Sequence, residues 1–105
     1  MRDGERKIRQ EDCHEASLGA GILTLTNQRI AFDKTHARIM DFTKHMGDTV
    51  MEASLSDVTR VWKEGLLIKK VCVSVGGGES PEIYKFGVLN PGGWANSIQD
   101  ALDDI

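Results

Sequence analysis

Residues 19–32 read GAGILTLTNQRIAF, two short apolar alternations on either side of Asn27. In Ile22-Leu23-Thr24-Leu25-Thr26, Leu23 and Leu25 fall on one face and Thr24 and Thr26 on the other. In Gln28-Arg29-Ile30-Ala31-Phe32, Ile30 and Phe32 share a face against Arg29 and Ala31. Successive side chains of a strand point to opposite faces, so both runs predict half-buried strands. Asn27 tolerates the left-handed backbone of a tight turn and joins them as a hairpin. Gly19 and Gly21 free the backbone just ahead of the first strand, as a corner or bulge requires.

The same period extends along the chain. Residues 50–55 and 58–63 read as the next pair of strands, with Ser56-Asp57 at the junction. Lys63-Glu64-Gly65 turns into residues 66–75, read as the longest strand, on which Val71, Val73 and Val75 share a face. Residues 76–81, GGGESP, form a turn, and residues 82–88 make the last strand, with Tyr84, Phe86 and Val88 facing one way. Upstream, residues 1–7 are a polar lead-in. Residues 8–18 make a first strand only with a bulge or break, because Ile8, Cys13, Ala16 and Leu18 do not share a face. Residues 33–48 are a polar stretch interrupted by the apolar group Ile39, Met40 and Phe42, and read either as a long loop or as two turns around a short strand at 39–42. At Asn90-Pro91 the period changes. Asn90 suits a helix N-cap and Pro91 the first helical position, and Trp94, Ile98, Leu102 and Ile105 then fall on one stripe, predicting an amphipathic helix over 91–105.

The hairpin, with its glycine, alternating apolar residues, Thr26-Asn27, Arg29-Ile30 and closing Phe32, resembles the first hairpin motif of GRAM and bacterial or archaeal PH-like domains. Leu55-Ser56-Asp57-Val58-Thr59-Arg60-Val61 is similar to that family's following segment, and Gly65-Leu66-Leu67-Ile68-Lys69-Lys70 to the start of its next strand. Asn90-Pro91-Gly92-Gly93-Trp94 with Ile98 is similar to its closing helix, and the likeness runs over residues 16–105. The resemblance implies a mainly β fold: a PH-like, partly open barrel of about seven antiparallel strands, one open end covered by the C-terminal amphipathic helix. It also implies a non-enzymatic binding module.

A chain of 105 residues is expected to be a single domain, and 40% apolar with 28% charged residues is the balance of an ordinary soluble globule. No apolar run is long enough to span a bilayer and the lead-in lacks the apolar centre of a secretion signal, so a cytoplasmic address, peripheral to the inner face of a membrane in one reading, is expected. Cys13 and Cys72 read as reduced thiols. A net charge of −3 argues against nucleic acid as a partner.

No constellation carries catalysis, and no cofactor or metal is expected. The triple glycine at 76–78 precedes no Lys-Ser or Lys-Thr, and Cys13, His14, His36, His45 and Cys72 lack paired metal-ligand spacing. In phosphoinositide-binding members of the family the first hairpin carries a run of Lys and Arg. Here residues 17–21 carry none. The expected partner is therefore a protein or peptide, self-association included, docking on an exposed strand edge near Trp62 and the final helix. The alternative is an anionic membrane surface met by Lys34, Arg38, Lys44, Lys69 and Lys70.

Overall fold

The structure, a computed structural model, describes residues 4–34, 49–65, 67–77 and 79–105. In chain order the elements are β1 (Lys7–Glu15), β2 (Gly19–Thr26), β3 (Arg29–Lys34), β4 (Thr49–Ser54), a 3-10 turn (Leu55–Asp57), β5 (Val58–Glu64), β6 (Lys70–Val75), β7 (Glu82–Gly87) and α1 (Pro91–Asp103). The seven strands form one antiparallel sheet in the order β4-β3-β2-β1-β7-β6-β5. The sheet is open, with β4 and β5 as its rims, and α1 packs on β5, β6, β1 and the 3-10 turn. Seven strands and one closing helix are the fold class expected from the sequence. The strand considered at 39–42 lies outside the described residues.

The β2–β3 hairpin forms as its alternation dictates. Leu23 pairs with Phe32 and Leu25 with Ile30, and all four are fully buried. Gly21 is required by packing, because a Cβ there would stand 2.6 Å from the Phe32 ring and 2.5 Å from the Asp33 carbonyl oxygen. Phe32 reaches across to Phe86 of β7 with ring centroids 5.4 Å apart, so one aromatic contact links the two halves of the sheet. Met51, Leu55, Val71, Val73, Trp94 and Ile98 are among the other residues of this core. Burial of each such side chain contributes roughly 1.5–3 kcal/mol.

Four expectations are corrected. Residues 50–55 and 58–63 are strands, but β4 and β5 do not pair with each other. The 3-10 turn sends them to opposite rims. Second, β6 begins only at Lys70 and has 6 residues, whereas β1 with 9 is the longest strand. Residues 67–69 belong to a turn, where Leu67 and Ile68 have no neighbour to bury them. Third, α1 ends at Asp103, leaving Ile105 68% exposed, and Ala101 rather than Ile105 joins Trp94 and Ile98 as a buried residue. At the start of this helix Asn90 accepts a hydrogen bond from the Gly93 N–H at 2.9 Å, as its capping role predicts.

The fourth correction concerns β1. Its pairing with β2 shifts register between Lys7 and Arg9, the expected bulge. Beyond it the strand alternates regularly, but the inward positions are Arg9, Glu11, Cys13 and Glu15. Only two residue pairs, His14 with Gly87 and Glu15 with Phe86, join β1 to β7. Carboxylates flank this short ladder. Glu15, 1% exposed, accepts from the N–H groups of Ser17 (2.6 Å), Leu18 (2.8 Å) and Lys85 (2.7 Å) and from the Ser17 hydroxyl (2.7 Å). Glu11 accepts from the Leu89 N–H at 2.6 Å and the Trp94 indole N–H at 2.9 Å. Arg9 lies over the Trp94 ring at 5.8 Å and donates to Ser97 at 3.0 Å. The polar face of β1 is thus where the half-sheets and the helix are joined.

Candidate functional site

β5, β6 and β7 bring Arg60, Trp62 and Glu64 alongside Ser74, Cys72 and Lys70, and these alongside Ile83 and Lys85. Side chains opposite each other in an antiparallel pair share a face, so these residues form one outward patch. The Arg60 guanidinium lies 4.8 Å from the centre of the Trp62 ring, a cation–π contact that stiffens both side chains. Lys85 donates to Glu64 at 2.6 Å, which holds the carboxyl below the usual carboxylate range and raises the Lys85 ammonium. Cys72 is fully buried in this row between Trp62 and Lys85. Burial, then the nearby Glu64 charge, pushes its thiol up. Cys13 is pushed up to about 12 by burial and by Glu11. Both thiols stay protonated at neutral pH, which removes the nucleophilic form.

The residues expected to bind are distributed unevenly over the fold. Trp62 is half-buried on the β5 rim, and Lys70 opens β6 opposite Glu64, with exposed Lys69 just before it. These three share one end of the C-terminal half-sheet. Lys34 is exposed at the end of β3, paired in register with Gly21. Four strand spacings separate β3 from β6, on the order of 19 Å along the sheet. Arg38 and Lys44 lie outside the described residues. Leu67 and Ile68, 98% and 76% exposed, were absorbed by the strand expected over 66–75. Only the Gly65 ahead of them signals a turn in the sequence.

A cavity of about 260 Å³ lies on the outward face of the N-terminal half-sheet and includes Thr24, Thr26, Arg29, Asp33 and Thr49 in its lining. Its charges are largely satisfied from within. Arg29 bonds Glu5 at 2.8 Å and Glu52 at 2.8 Å, Asp33 accepts from Thr49 at 2.5 Å, and Gln10 donates to Thr24 at 2.8 Å. Among the described residues no group of three His, Cys, Asp or Glu side chains is placed to hold a metal ion, and no helix is long and apolar enough to cross a membrane.

No protein-family model matches this chain and no curated protein is similar to it at a meaningful level. Among solved structures it is similar to one described as "Vps36 N-terminal PH domain", with 19% sequence identity, 99% of this chain and 83% of that chain covered, and a TM-score of 0.71. At that identity the likeness shows the fold, which is PH-like.

Proposed function

We propose that this chain is a non-enzymatic binding module of the GRAM-like branch of the PH-like fold, and that its ligand is an extended protein segment docking in the cytoplasm. The observation that carries this reading is the β5 rim. It is a sheet edge with the Trp62–Arg60 pair on its outward face and α1 packed beside it. An edge strand presents unpaired backbone N–H and C=O groups, so an added strand gains main-chain hydrogen bonds, and side-chain pockets beside it supply selectivity. The patch supports the reading by its charge as well. Lys85 is engaged by Glu64 and so is not a free amine of the patch.

The test is selection of peptides from a display library on the purified domain, with Trp62→Ala as the counter-screen. Extended peptides whose affinity falls about tenfold in the variant are expected, the loss typical of an aromatic anchor. Enrichment of no peptide, or of peptides indifferent to Trp62, would overturn the proposal.

A further inference from the structure

Main-chain groups of alternate residues point to opposite edges of a strand, so only part of β5 is open to an added strand. Lys85 of β7 fixes which part. Its N–H donates to the Glu15 carboxylate at 2.7 Å and its carbonyl accepts from the Ala16 N–H at 3.3 Å, so its main chain faces β1. Cys72, opposite Lys85, therefore turns its N–H and carbonyl to the other side, toward Trp62. Arg60 and Glu64, opposite Ser74 and Lys70, bond inward to β6 in the same way. Val61 and Lys63 are left with N–H and carbonyl groups aimed at the free edge, beside which no strand lies among the described residues.

The side chains flanking that edge carry unanswered positive charge. Val61 and Lys63 stand opposite Val73 and Val71, both fully buried, and so face the α1 side of the sheet. Val61 packs against the core, and exposed Lys63 runs along the start of α1, where a Cβ on Gly92 would stand 3.7 Å from its Nζ. On the outward side, exposed Arg60 lies over Trp62, which leaves the N–H edge of its guanidinium in plane for a carboxylate. Neither cation has a carboxylate partner among the described residues. Glu64 of the same strand is taken by Lys85, and the first turn of α1 holds no acid. The rim is thus cationic on a chain whose net charge is −3. We propose, resting on the peptide reading of this rim, that the docking segment is acidic: an extended strand that bonds the main chain of Val61 and Lys63 and carries Asp or Glu at two positions three residues apart. Arg60 and Lys63 are themselves three residues apart and on opposite faces, so that spacing sets one carboxylate against each.

The experiment selects on the full chain from three displayed peptide libraries, identical except that two positions three apart are fixed as Glu, as Gln or as Lys. Enrichment is expected from the Glu library alone, and the enriched peptides, measured by fluorescence polarisation, should bind less tightly as salt is added. Lys63→Gln and Arg60→Gln should each weaken them on the order of tenfold. Both side chains are exposed, so the variants should keep the melting temperature of the parent, and Lys63→Glu should regain affinity for a peptide whose matching Glu is replaced by Lys. Amide hydrogen exchange supplies the register: peptide should newly protect Val61 and Lys63, whereas Arg60, Trp62 and Glu64 are protected already in the free chain. Glu peptides indifferent to both substitutions, or new protection that skips Val61 and Lys63, would overturn the proposal. Trp62-dependent peptides drawn equally from the Gln or Lys library would overturn the acidic motif and leave edge docking in place. Enrichment from none of the three would overturn both.

Discussion

The β2–β3 turn at Asn27-Gln28 is polar and hydrogen-bonded to neighbouring segments, whereas the β5–β6 turn carries Leu67 and Ile68 into solvent. Asn27 accepts from the Arg6 N–H at 2.7 Å, donates its side-chain amide to the Gly4 carbonyl at 3.0 Å and its backbone N–H to the Arg6 carbonyl at 3.1 Å. Gln28 offers its carbonyl to the Leu55 N–H at 3.0 Å, which fastens the 3-10 turn to the hairpin. The Thr26 hydroxyl accepts from the N–H groups of Gln28 (3.1 Å) and Arg29 (3.0 Å) and donates to Glu5 at 2.6 Å. The first turn is thus part of the folding machinery, and the second is built as a tip with polar flanks. Two hairpins of one sheet teach that a tight turn can be spent on stability or on presenting side chains outward.

Substitutions can break that contrast. The largest effect is expected in the first hairpin: Phe32→Ala removes a fully buried ring, at a cost of about 3–5 kcal/mol in urea unfolding. Glu15→Gln comes next. The amide cannot accept all four hydrogen bonds, and a buried donor left unpaired costs about 1–3 kcal/mol. Burial raises the Glu15 carboxyl, but the bonds from Ser17, Lys85 and Leu18 outweigh it and hold the group below the usual carboxylate range. A lowered folded value means that this stabilisation is complete above the unfolded value of about 4.3 and is lost as acid titrates the folded group. The urea midpoint of the parent should therefore drop below that pH, and the Gln variant should drop less steeply. An unchanged slope would remove Glu15 from the seam.

Thr26→Val sharpens the comparison at smaller scale. It keeps the shape and strands two turn N–H groups, so a loss of about 1–2 kcal/mol is expected, read by thermal unfolding. Leu67→Ser should shift stability by less than about 0.5 kcal/mol, because the side chain it removes touches solvent. A Leu67→Ser variant as damaged as Thr26→Val would show that the two turns share one role.

The parts of the fold legible in the sequence are those where the buried face is apolar. Leu23, Leu25, Ile30 and Phe32 announce their strands because their burial needs no partner, and Trp94 with Ile98 announces α1 in the same way. β1 is hard to read for the opposite reason: Arg9, Glu11 and Glu15 face inward, and what makes this tolerable is distant, the Ser97 hydroxyl of α1 accepting from Arg9 and N–H donors of β7, α1, the β7–α1 connection and the turn after β1 serving the two carboxylates. Composition cannot reveal such distant partners. Residues 66–69 looked like the beginning of a strand because an apolar run is silent on whether anything covers it. Lys69, Lys70 and Trp62 were visible as candidates, since charge and aromatic character are local properties. An exposed edge near Trp62 is expected from the sequence as well, but the strand order that makes β5 that edge is not legible, because β5 reads as the partner of β4 rather than as the opposite rim.

The strand order has a kinetic consequence. β1 to β4 pair with sequence neighbours and can zip as a meander, and β5 with β6 needs only a short turn. The seam between β1 and β7 joins residues more than seventy positions apart, and until residues 82–87 are in place β1 has a bare side. Long loops are slow to close, so this late step sets the pace of folding. The last strand is the keystone, and a chain halted before it would offer two more unpaired edges than the finished sheet.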